Sequence, residues 1–173
     1  MCAAETNTFP SLQELNQLSV SEFADAIAQL FEPAPKFATR LAQERPFASD
    51  TVLLEAAARI ARALPEADQV ALINAHPRVG AGQPGLSDHS RREMGAAEQV
   101  ADVELAALNS AYEARFGFRY LVFVAGRRRA DLIPGFRTAL HRKRNEELRR
   151  AVHDTLAIAA DRLHRLRAAV EDE

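Results

Sequence analysis

The residues whose types and spacing could do chemistry lie in the middle of the chain, between His76 and Glu93. His76 ends an apolar helical stretch, and Ser90 and Glu93 follow it after a connection that holds three glycines. Residues three apart are neighbours on a helix surface, so Ser90 and Glu93 share one face if their segment is helical. A histidine, a hydroxyl and a carboxylate brought together in this way could form an acid–base site.

His76 is a candidate proton donor because Pro77 follows it. A residue before proline is disfavoured in the helical region, so the helix should end about there and leave the imidazole at its negative end. That position favours the protonated form and should raise the pKa of His76, which suits a donor near neutral pH. The alternative is a His-Pro pair that only terminates a helix, and the dipeptide alone favours this alternative.

The connection after His76 allows both a ligand-binding and a plain interpretation. Gly80, Gly82 and Gly85 permit positive φ or a close approach of the backbone to a ligand, but they match neither a dinucleotide nor a P-loop fingerprint. Ser90 and Glu93 lie near the start of the next helix, whose positive end could hold an anion. The alternative is an exposed helix face with a stabilising carboxylate in its early turns.

Composition limits the classes of protein that fit. A length of 173 residues suits one domain, and 47% hydrophobic with 27% charged residues is ordinary globular composition. A net charge of -2 argues against a protein that binds nucleic acid by electrostatics. Cys2 is the only cysteine and can form no internal disulfide. No apolar run is long enough to span a membrane and no signal peptide is visible, so a cytoplasmic protein without membrane contact is expected.

One basic run stands out near the C-terminal end. From Arg127 to Arg150 there are nine basic residues and three acidic ones. Such a run is usually a solvated face, and contact with nucleic acid is the weaker alternative because no aromatic residue follows Phe136 in it. Arg144 lies at the break between the last two predicted helices, where it could point inward as a clamp for an anion or a carbonyl. No histidines have metal-ligand spacing, so no metal site is expected.

Periodicity and capping predict a single all-α domain over residues 11–170, after a flexible N-terminus of residues 1–10. The bundle should have about eight or nine helices. Gly117 is placed to be a left-handed helix C-cap, and residues 120–124 predict the one short extended segment or strand. The predicted helices begin at a capping box of Ser19 and Glu22 and then cover about 36–43, 50–64, 65–75, 87–101, 105–116, 131–142 and a longest helix capped by Asn145.

Several separate stretches together resemble one family. They read LNQLSVSEFADAI, RPFAS, HPRVG, LSDHSRRE, LNSAYEARFGFRYLVFVAG and RKRNEEL. In this order they are similar to 2-oxo-4-hydroxy-4-carboxy-5-ureidoimidazoline (OHCU) decarboxylase, an enzyme of urate breakdown. The likeness extends from about Leu12 to Leu166 and so covers essentially the whole domain.

The resemblance implies a fold, an activity and a set of site residues. It implies an all-α bundle, a homodimer, no metal or organic cofactor, and decarboxylation of OHCU to (S)-allantoin. His76 would transfer the proton and Glu93 would be its acidic partner. Met94 departs from the glutamine that relatives usually have there. The other implied substrate-lining positions are Pro77, Ser90, Arg91, Arg92, Met94, the backbone of Tyr120, Leu121, Val122, Phe123 and Val124, and Arg144.

Two other functions remain open at this point. A family member that has lost activity could serve as a helical binding or scaffold protein, although the presence of His76, Ser90, Glu93 and Arg144 argues against it. A basic helical module could contact nucleic acid through the run from Arg127 to Arg150.

Overall fold

The computed structural model describes residues 9–80 and 96–171, without the side chains of 96–99, 170 and 171. This part of the chain forms α-helices and no strand, so the predicted all-α fold is confirmed. None of the described helices is both long and apolar enough to cross a membrane. The helices are α1 (Leu12–Gln17), α2 (Val20–Phe31), α3 (Pro35–Ala42), α4 (Asp50–Ala63), α5 (Glu66–Asn74), α6 (Ala96–Phe116), α7 (Arg129–Ala139) and α8 (Arg144–Glu171).

Local capping sets the starts of the N-terminal helices. The Ser19 hydroxyl accepts from the Glu22 N–H at 3.3 Å, and the Glu22 carboxylate accepts from the Ser19 N–H at 2.9 Å. This is the predicted capping box, and Ser11 with Glu14 forms a second one at α1. Ser49 caps α4 by accepting from Val52 N–H at 3.2 Å. Each cap stabilises its helix by about 1 kcal/mol.

Helix α8 is the element on which much of the bundle packs. It contacts α2, α4 and α5, while α6 packs on α7. Between them lies a cluster of rings around Tyr112, whose ring centroid is 4.5 Å from that of Phe116, 5.7 Å from Phe118, 5.2 Å from Tyr120 and 5.7 Å from Phe136. Aromatic pairs of this kind contribute about 0.5–1.5 kcal/mol each beyond their buried area. The cluster therefore fixes the chain from 118 to 121 against α6 and α7.

A buried carboxylate joins α8 to this cluster. Glu147 is fully buried and accepts hydrogen bonds from the Tyr112 hydroxyl at 2.7 Å, Arg150 Nε at 2.9 Å and Arg142 Nη1 at 3.1 Å. Burial alone would raise the pKa of Glu147, but these hydrogen bonds hold it below its ordinary value. A buried charge is tolerated where several donors surround it in this way.

Several predicted helix boundaries differ from the observed ones, including the end of α7 at Ala139, three residues before the predicted Arg142. The periodicity predicts two helices that meet between residues 101 and 105, but α6 runs unbroken from 96 to 116, since that stretch contains neither glycine nor proline. Helix α7 begins two residues before the predicted Asp131, whose carboxylate accepts from Arg128 N–H at 3.3 Å and so caps an earlier start. Helix α8 starts before Asn145, because the Lys143 carbonyl accepts from Glu147 N–H at 3.1 Å.

The sequence also predicts a left-handed cap at Gly117 and an extended segment or strand at 120–124. Gly117 has φ +78° and its N–H donates to the Glu113 carbonyl at 2.9 Å, so the left-handed C-cap is confirmed. The segment 120–124 forms neither helix nor strand.

At the N-terminus, Phe9 is buried in the core and the Pro10 carbonyl accepts from Arg167 at 2.7 Å. The packed domain therefore includes residues 9 and 10; residues 1–8 of the predicted flexible N-terminus lie outside the described residues.

Much of the basic run is engaged within the molecule. Arg129 Nη1 contacts the Asp102 carboxylate at 2.8 Å, and Arg137 pairs with Glu104. Arg127, Arg142, Arg144 and Arg150 also bond to protein carbonyls or carboxylates. These contacts join α7 to α6 and α8 to its neighbours, and they favour an internal role for these cations over a surface for nucleic acid.

Candidate active site

A pocket of about 670 Å³ opens between the chain that follows α5, the segment after residue 120 and the second half of α8. The first wall is the stretch from His76 to Gly80, and the second is the stretch from Leu121 to Arg127. Helix α8 closes the third side, and α7 adds Arg129 and Leu132. The α8 residues that line it are Ile158, Asp161, Arg162 and Arg165.

The end of α5 fixes the His76 ring in one tautomer. The His76 N–H donates to the Ile73 carbonyl at 3.1 Å, and Nδ1 lies 3.2 Å from the Leu72 carbonyl oxygen. A carbonyl oxygen only accepts, so Nδ1 carries the proton and Nε2 has the lone pair when the ring is neutral. The ring is buried, and Nε2 has no hydrogen-bond partner among the described residues.

The expected direction of the pKa shift at His76 is wrong. Burial lowers the pKa of His76 below its ordinary value, and the positive charge of Arg162 lowers it further. The carbonyls of Leu72 and Ile73 at the end of α5 act in the opposite direction, as a helix terminus should, but their effect is smaller. His76 is therefore neutral at pH 7, and its free Nε2 is a proton acceptor before it can be a donor.

Arg119 holds the backbone that carries His76. Its N–H donates to Asn74 Oδ1 at 2.8 Å, and its Nη1 donates to the carbonyls of Asn74 and His76, both at 2.7 Å. These bonds satisfy carbonyls at the helix end and fix the direction in which the chain leaves α5. The sequence interpretation missed Arg119. The available signal was a single arginine between Phe118 and Tyr120, because a cation in an apolar run must find acceptors nearby.

Pro77 lines the pocket, the position that the resemblance implies for it. Side chains bond the chain that follows it to α6. Arg78 makes a two-bond ion pair with Glu113, with both N···O distances 2.7 Å. Asn109 Nδ2 donates to the Val79 carbonyl at 2.7 Å. Both contacts reach α6, at residues one helical turn apart, so this wall is anchored to that helix.

Gly80 is required at the end of this wall. Its φ is +77°, and a Cβ atom there would lie 2.8 Å from Leu105 Cδ1 and 3.0 Å from Leu105 Cβ. The predicted positive φ is confirmed for Gly80, and the close neighbour of its backbone is Leu105 of α6. Gly82 and Gly85 lie outside the described residues.

The second wall presents backbone as well as side chains. Leu121, Val122, Phe123 and Val124 line the pocket. Arg150 Nη1 donates to the Leu121 carbonyl at 2.7 Å. On the same wall Arg127 donates to the carbonyls of Phe123 and Val124 at 2.6 and 3.0 Å. Two guanidinium groups hold the carbonyls of this wall, Arg150 from α8 and Arg127 from the wall itself, and contact of the wall with a substrate stays a prediction.

The structure does not bring Tyr120 to the pocket. Its ring is buried and stacks on Phe136 with 3.7 Å between centroids. The Arg150 guanidinium covers the ring at 4.7 Å from its centroid. Burial raises the pKa of the Tyr120 hydroxyl, which is therefore uncharged. The residue supports the pocket wall from the core and is not part of its lining.

Arg144 is a clamp for protein groups and does not line the pocket. Its Nε donates to the Phe116 carbonyl at 2.8 Å, and its Nη1 bonds to Glu66 at 2.6 Å. The pocket is lined by α8 only from Ile158 onward, and the 14 residues between them correspond to about 21 Å of helix. Arg144 therefore joins α8 to the end of α6 and the start of α5.

Arg162 is the α8 arginine that the pocket contains and that the sequence interpretation missed. Its Nη1 donates to the Leu30 carbonyl at 3.1 Å, and its Nη2 bonds to Glu32 at 2.7 Å. Its periodic position beside the apolar face of α8 was the available signal, but a charged residue at the edge of such a face is usually only solvated. Its charge acts on His76, which places the two groups in one electrostatic environment.

Five predicted site positions cannot be placed in this geometry. They lie outside the described residues, so the helix face that Ser90 and Glu93 are expected to share stays a prediction. Within the described ranges no group of three or more histidine, cysteine, aspartate or glutamate side chains is arranged to hold a metal ion. The five positions are Ser90, Arg91, Arg92, Glu93 and Met94.

The chain is similar to proteins of urate degradation. The family described as OHCU decarboxylase matches residues 16–164. The chain is 32% identical over 158 residues to the uric acid degradation bifunctional protein PucL of Bacillus subtilis, which covers 88% of this chain and 32% of that protein. It is 27% identical over 161 residues to a 2-oxo-4-hydroxy-4-carboxy-5-ureidoimidazoline decarboxylase of Halalkalicoccus jeotgali, which covers 90% of this chain and 91% of that one.

Two solved structures share the fold. One is a crystal structure of OHCU decarboxylase in the presence of (S)-allantoin, with a TM-score of 0.64, 22% identity and coverage of 77% of this chain and 91% of that chain. The other is a crystal structure of (S)-allantoin synthase, with a TM-score of 0.66, 17% identity and coverage of 91% of this chain and 54% of that one. The chain thus spans about a third of the bacillar bifunctional protein and most of the archaeal decarboxylase.

These matches confirm the resemblance drawn from the sequence motifs. The family match covers most of the chain, and the archaeal relative is matched over nearly its whole length. The expectations of a decarboxylase, which is a carboxy-lyase, and of a place in urate degradation are confirmed with it.

Proposed function

Because the chain belongs to the OHCU decarboxylase family, we propose that it decarboxylates OHCU to (S)-allantoin with His76 as the proton-transfer group. One observation carries the role of His76. His76 lines the pocket, its buried Nε2 has no partner among the described residues, and its imidazole is neutral at pH 7 because its pKa is lowered. A neutral imidazole with a free nitrogen is suited to accept a proton from a hydroxyl.

The substrate supplies its own electron sink. The bond between the ring and the carboxylate breaks, and its electron pair moves towards the adjacent C=N bond as carbon dioxide leaves. The hydroxyl on the reacting carbon then becomes a carbonyl as its proton is lost, and the neighbouring carbon gains a proton. One proton is consumed overall when the carboxylate form reacts, and it ends on the ring nitrogen of the former C=N bond. No pyridoxal or metal is needed to hold the electrons.

His76 would take part in both proton movements. Nε2 accepts the hydroxyl proton, and the imidazolium that results returns a proton to one face of the ring carbon. Delivery from one side explains why the product would be (S)-allantoin and not a racemate. The Nδ1–H bond to the Leu72 carbonyl keeps the ring orientation through both steps.

Cationic and backbone groups would hold the substrate. Arg162 uses Nη1 and Nη2 for Leu30 and Glu32, which occupies only part of its five donors, so it can also bind a carboxylate or ureido oxygen. The backbone from Leu121 to Val124 would bind ring and ureido amides. Glu93 would be the acidic partner of His76, with Ser90 beside it, on the sequence spacing and family resemblance alone. We further propose that the protein is a homodimer, and light scattering during size exclusion can test this molar mass. We also propose a cytoplasmic location.

The decisive experiment follows the circular dichroism of allantoin while urate oxidation generates the substrate in a coupled assay. Added enzyme should speed the appearance of the signal and give one enantiomer in excess. His76→Asn should abolish both effects, while His164→Gln, which changes an exposed histidine, should leave them intact. If the wild-type protein left the rate of allantoin formation unchanged and the product racemic, the proposed activity would be wrong, and a binding or scaffold role would remain for the chain.

A further inference from the structure

Glu32 has a backbone conformation that glycine alone adopts freely. It follows the last residue of α2, and its φ of 60° and ψ of 171° lie in a region that is essentially restricted to glycine. Its N–H still bonds to the Ala28 carbonyl at 2.9 Å, so the strained residue is part of the helix end. Pro33 follows and disfavours a return to helical angles. A glycine at position 32 would fit this turn without strain.

The side chain of Glu32 gives a reason for the strained backbone. Its carboxylate accepts from Arg162 Nη2 at 2.7 Å, and the Leu30 carbonyl, two residues earlier, accepts from Nη1 at 3.1 Å. The sharp exit from α2 thus presents two acceptors to one guanidinium. Both side chains of the ion pair are only partly exposed, at 26% for Arg162 and 29% for Glu32.

Arg162, whose guanidinium is held in this way, lines the same pocket as His76. Arg162 has a long side chain with many rotamers, and α8 alone would not select one of them. Fixing the guanidinium from the end of α2 selects a position before any ligand arrives. An arginine that is already ordered in this way loses less entropy when it binds an anion.

We propose that Glu32 is a positioning residue, which holds Arg162 over the pocket beside His76, and that the strained turn after α2 is kept for this purpose. The effect on turnover rests on the proposed function, whereas the effect on Arg162 does not. Glu32 also balances the charge of Arg162 near His76. Its carboxylate acts to raise the pKa of His76 while the guanidinium acts to lower it.

The test compares Glu32→Gly, Glu32→Gln and a control, Glu44→Gln. Glu32→Gly removes both the carboxylate and the strain, whereas Glu32→Gln keeps an acceptor for Nη2. Glu44 pairs with Arg59 at 2.8 Å in a more exposed position and does not line the pocket. Thermal unfolding, kcat/KM in the coupled assay, and the NMR order of the Arg162 Nε–H are measured for each protein. The Arg162 signal is assigned by its loss in Arg162→Lys.

Glu32→Gly should have a Tm equal to or above that of the wild type, a mobile Arg162 side chain, and kcat/KM lowered by about tenfold or more. Glu32→Gln should retain more of the rate and more of the Arg162 order. The Glu44→Gln control should match the wild type in rate and in Arg162 order. A role in folding alone would instead lower Tm and rate together.

Two results would overturn the inference. One is an Arg162 side chain that stays ordered in Glu32→Gly. The other is a fall in Tm that accompanies the loss of rate in both variants at position 32. If the wild type has no turnover, the proposed function fails, but the NMR comparison still decides whether Glu32 positions Arg162.

Discussion

Arg119 Nη1 lies 2.7 Å from the carbonyl oxygen of His76, so the segment after α6 is bonded directly to the residue proposed to move the proton. The same nitrogen donates to the Asn74 carbonyl at 2.7 Å. One cation thus satisfies two carbonyls that the end of α5 leaves without helical partners. The position of His76 therefore depends on contacts about 43 residues away along the chain.

Replacement of Arg119 should affect both stability and catalysis. Arg119→Met leaves the carbonyls of Asn74 and His76 partly buried without a donor, and the loss should be about 1.5–3 kcal/mol in the free energy of unfolding. The rate should fall as well, since the His76 backbone is released. Urea unfolding and kcat/KM measure the two effects. Arg59→Met, which breaks an exposed pair with Glu44, is the control and should change neither by much. An Arg119→Met enzyme of wild-type stability would contradict this role.

Gly80 and Gly117 offer a matched pair of substitutions. Both have φ near +78°, at +77° and +78°, but a Cβ at Gly80 would meet Leu105 Cδ1 at 2.8 Å, whereas a Cβ at Gly117 meets nothing within 4 Å. Gly117→Ala should cost about 1–2 kcal/mol from the backbone alone. Gly80→Ala should cost about 1–3 kcal/mol more because α6 must move or the loop must shift. Chemical denaturation measures both, and equal costs would show that Leu105 yields freely.

The helices and their caps could be predicted because their causes are local. Ser19 and Glu22 are three residues apart, and Gly117 follows the last apolar residue of its helix. The end of α5 close to position 76 could likewise be predicted from the His-Pro pair. The continuity of α6 was missed because its apolar pattern is weak between residues 101 and 105.

The pocket cations could not be predicted in the same way. Arg162 reaches Glu32 across 130 positions of the chain, and nothing near Arg162 in the sequence signals this contact. The direction of the His76 pKa shift depends on burial by distant segments, which outweighs the helix end that the sequence does reveal. Arg144 was expected to point inward as a clamp for an anion or a carbonyl, but its side chain is 43% exposed and holds a protein carbonyl and a protein carboxylate.

The lowered pKa of His76 should make stability depend on pH in one direction. The unfolded chain binds a proton near the ordinary value of 6.5, while the folded protein resists protonation until a lower pH. The contribution of His76 is therefore fully present above pH 6.5 and is lost as pH falls towards the folded pKa. His76→Gln should flatten this part of the profile, and His164→Gln, at an exposed site, should not. If the stability of His76→Gln fell more steeply with decreasing pH than that of the wild type, the assigned direction of the pH dependence would be wrong.

The carboxylate of Glu147 should be a large contributor to stability. Glu147→Gln removes the charge that faces Arg142 and Arg150 in a fully buried position, and it disturbs the bond from the Tyr112 hydroxyl. Breaking a buried ion pair costs about 3–5 kcal/mol. Glu146→Gln, one residue earlier and exposed, should cost much less. Urea unfolding of the two variants measures the difference, and similar costs would mean that the buried network is rearranged easily.

Substitutions of Arg162 and Arg144 should distinguish an effect on catalysis from an effect on folding stability. Arg162→Met removes a cation from the pocket, and the loss of a charge-assisted contact to the reacting group should lower kcat/KM by about 10²–10³-fold. Arg144→Met removes the bonds to the Phe116 carbonyl and Glu66, so it should lower stability by about 1 kcal/mol and leave kcat/KM close to wild type. The measurement is kcat/KM in the coupled urate assay together with thermal unfolding of each protein. If Arg144→Met lost the rate while Arg162→Met kept it, the substrate would bind at the start of α8, about 21 Å along the helix from the pocket described above.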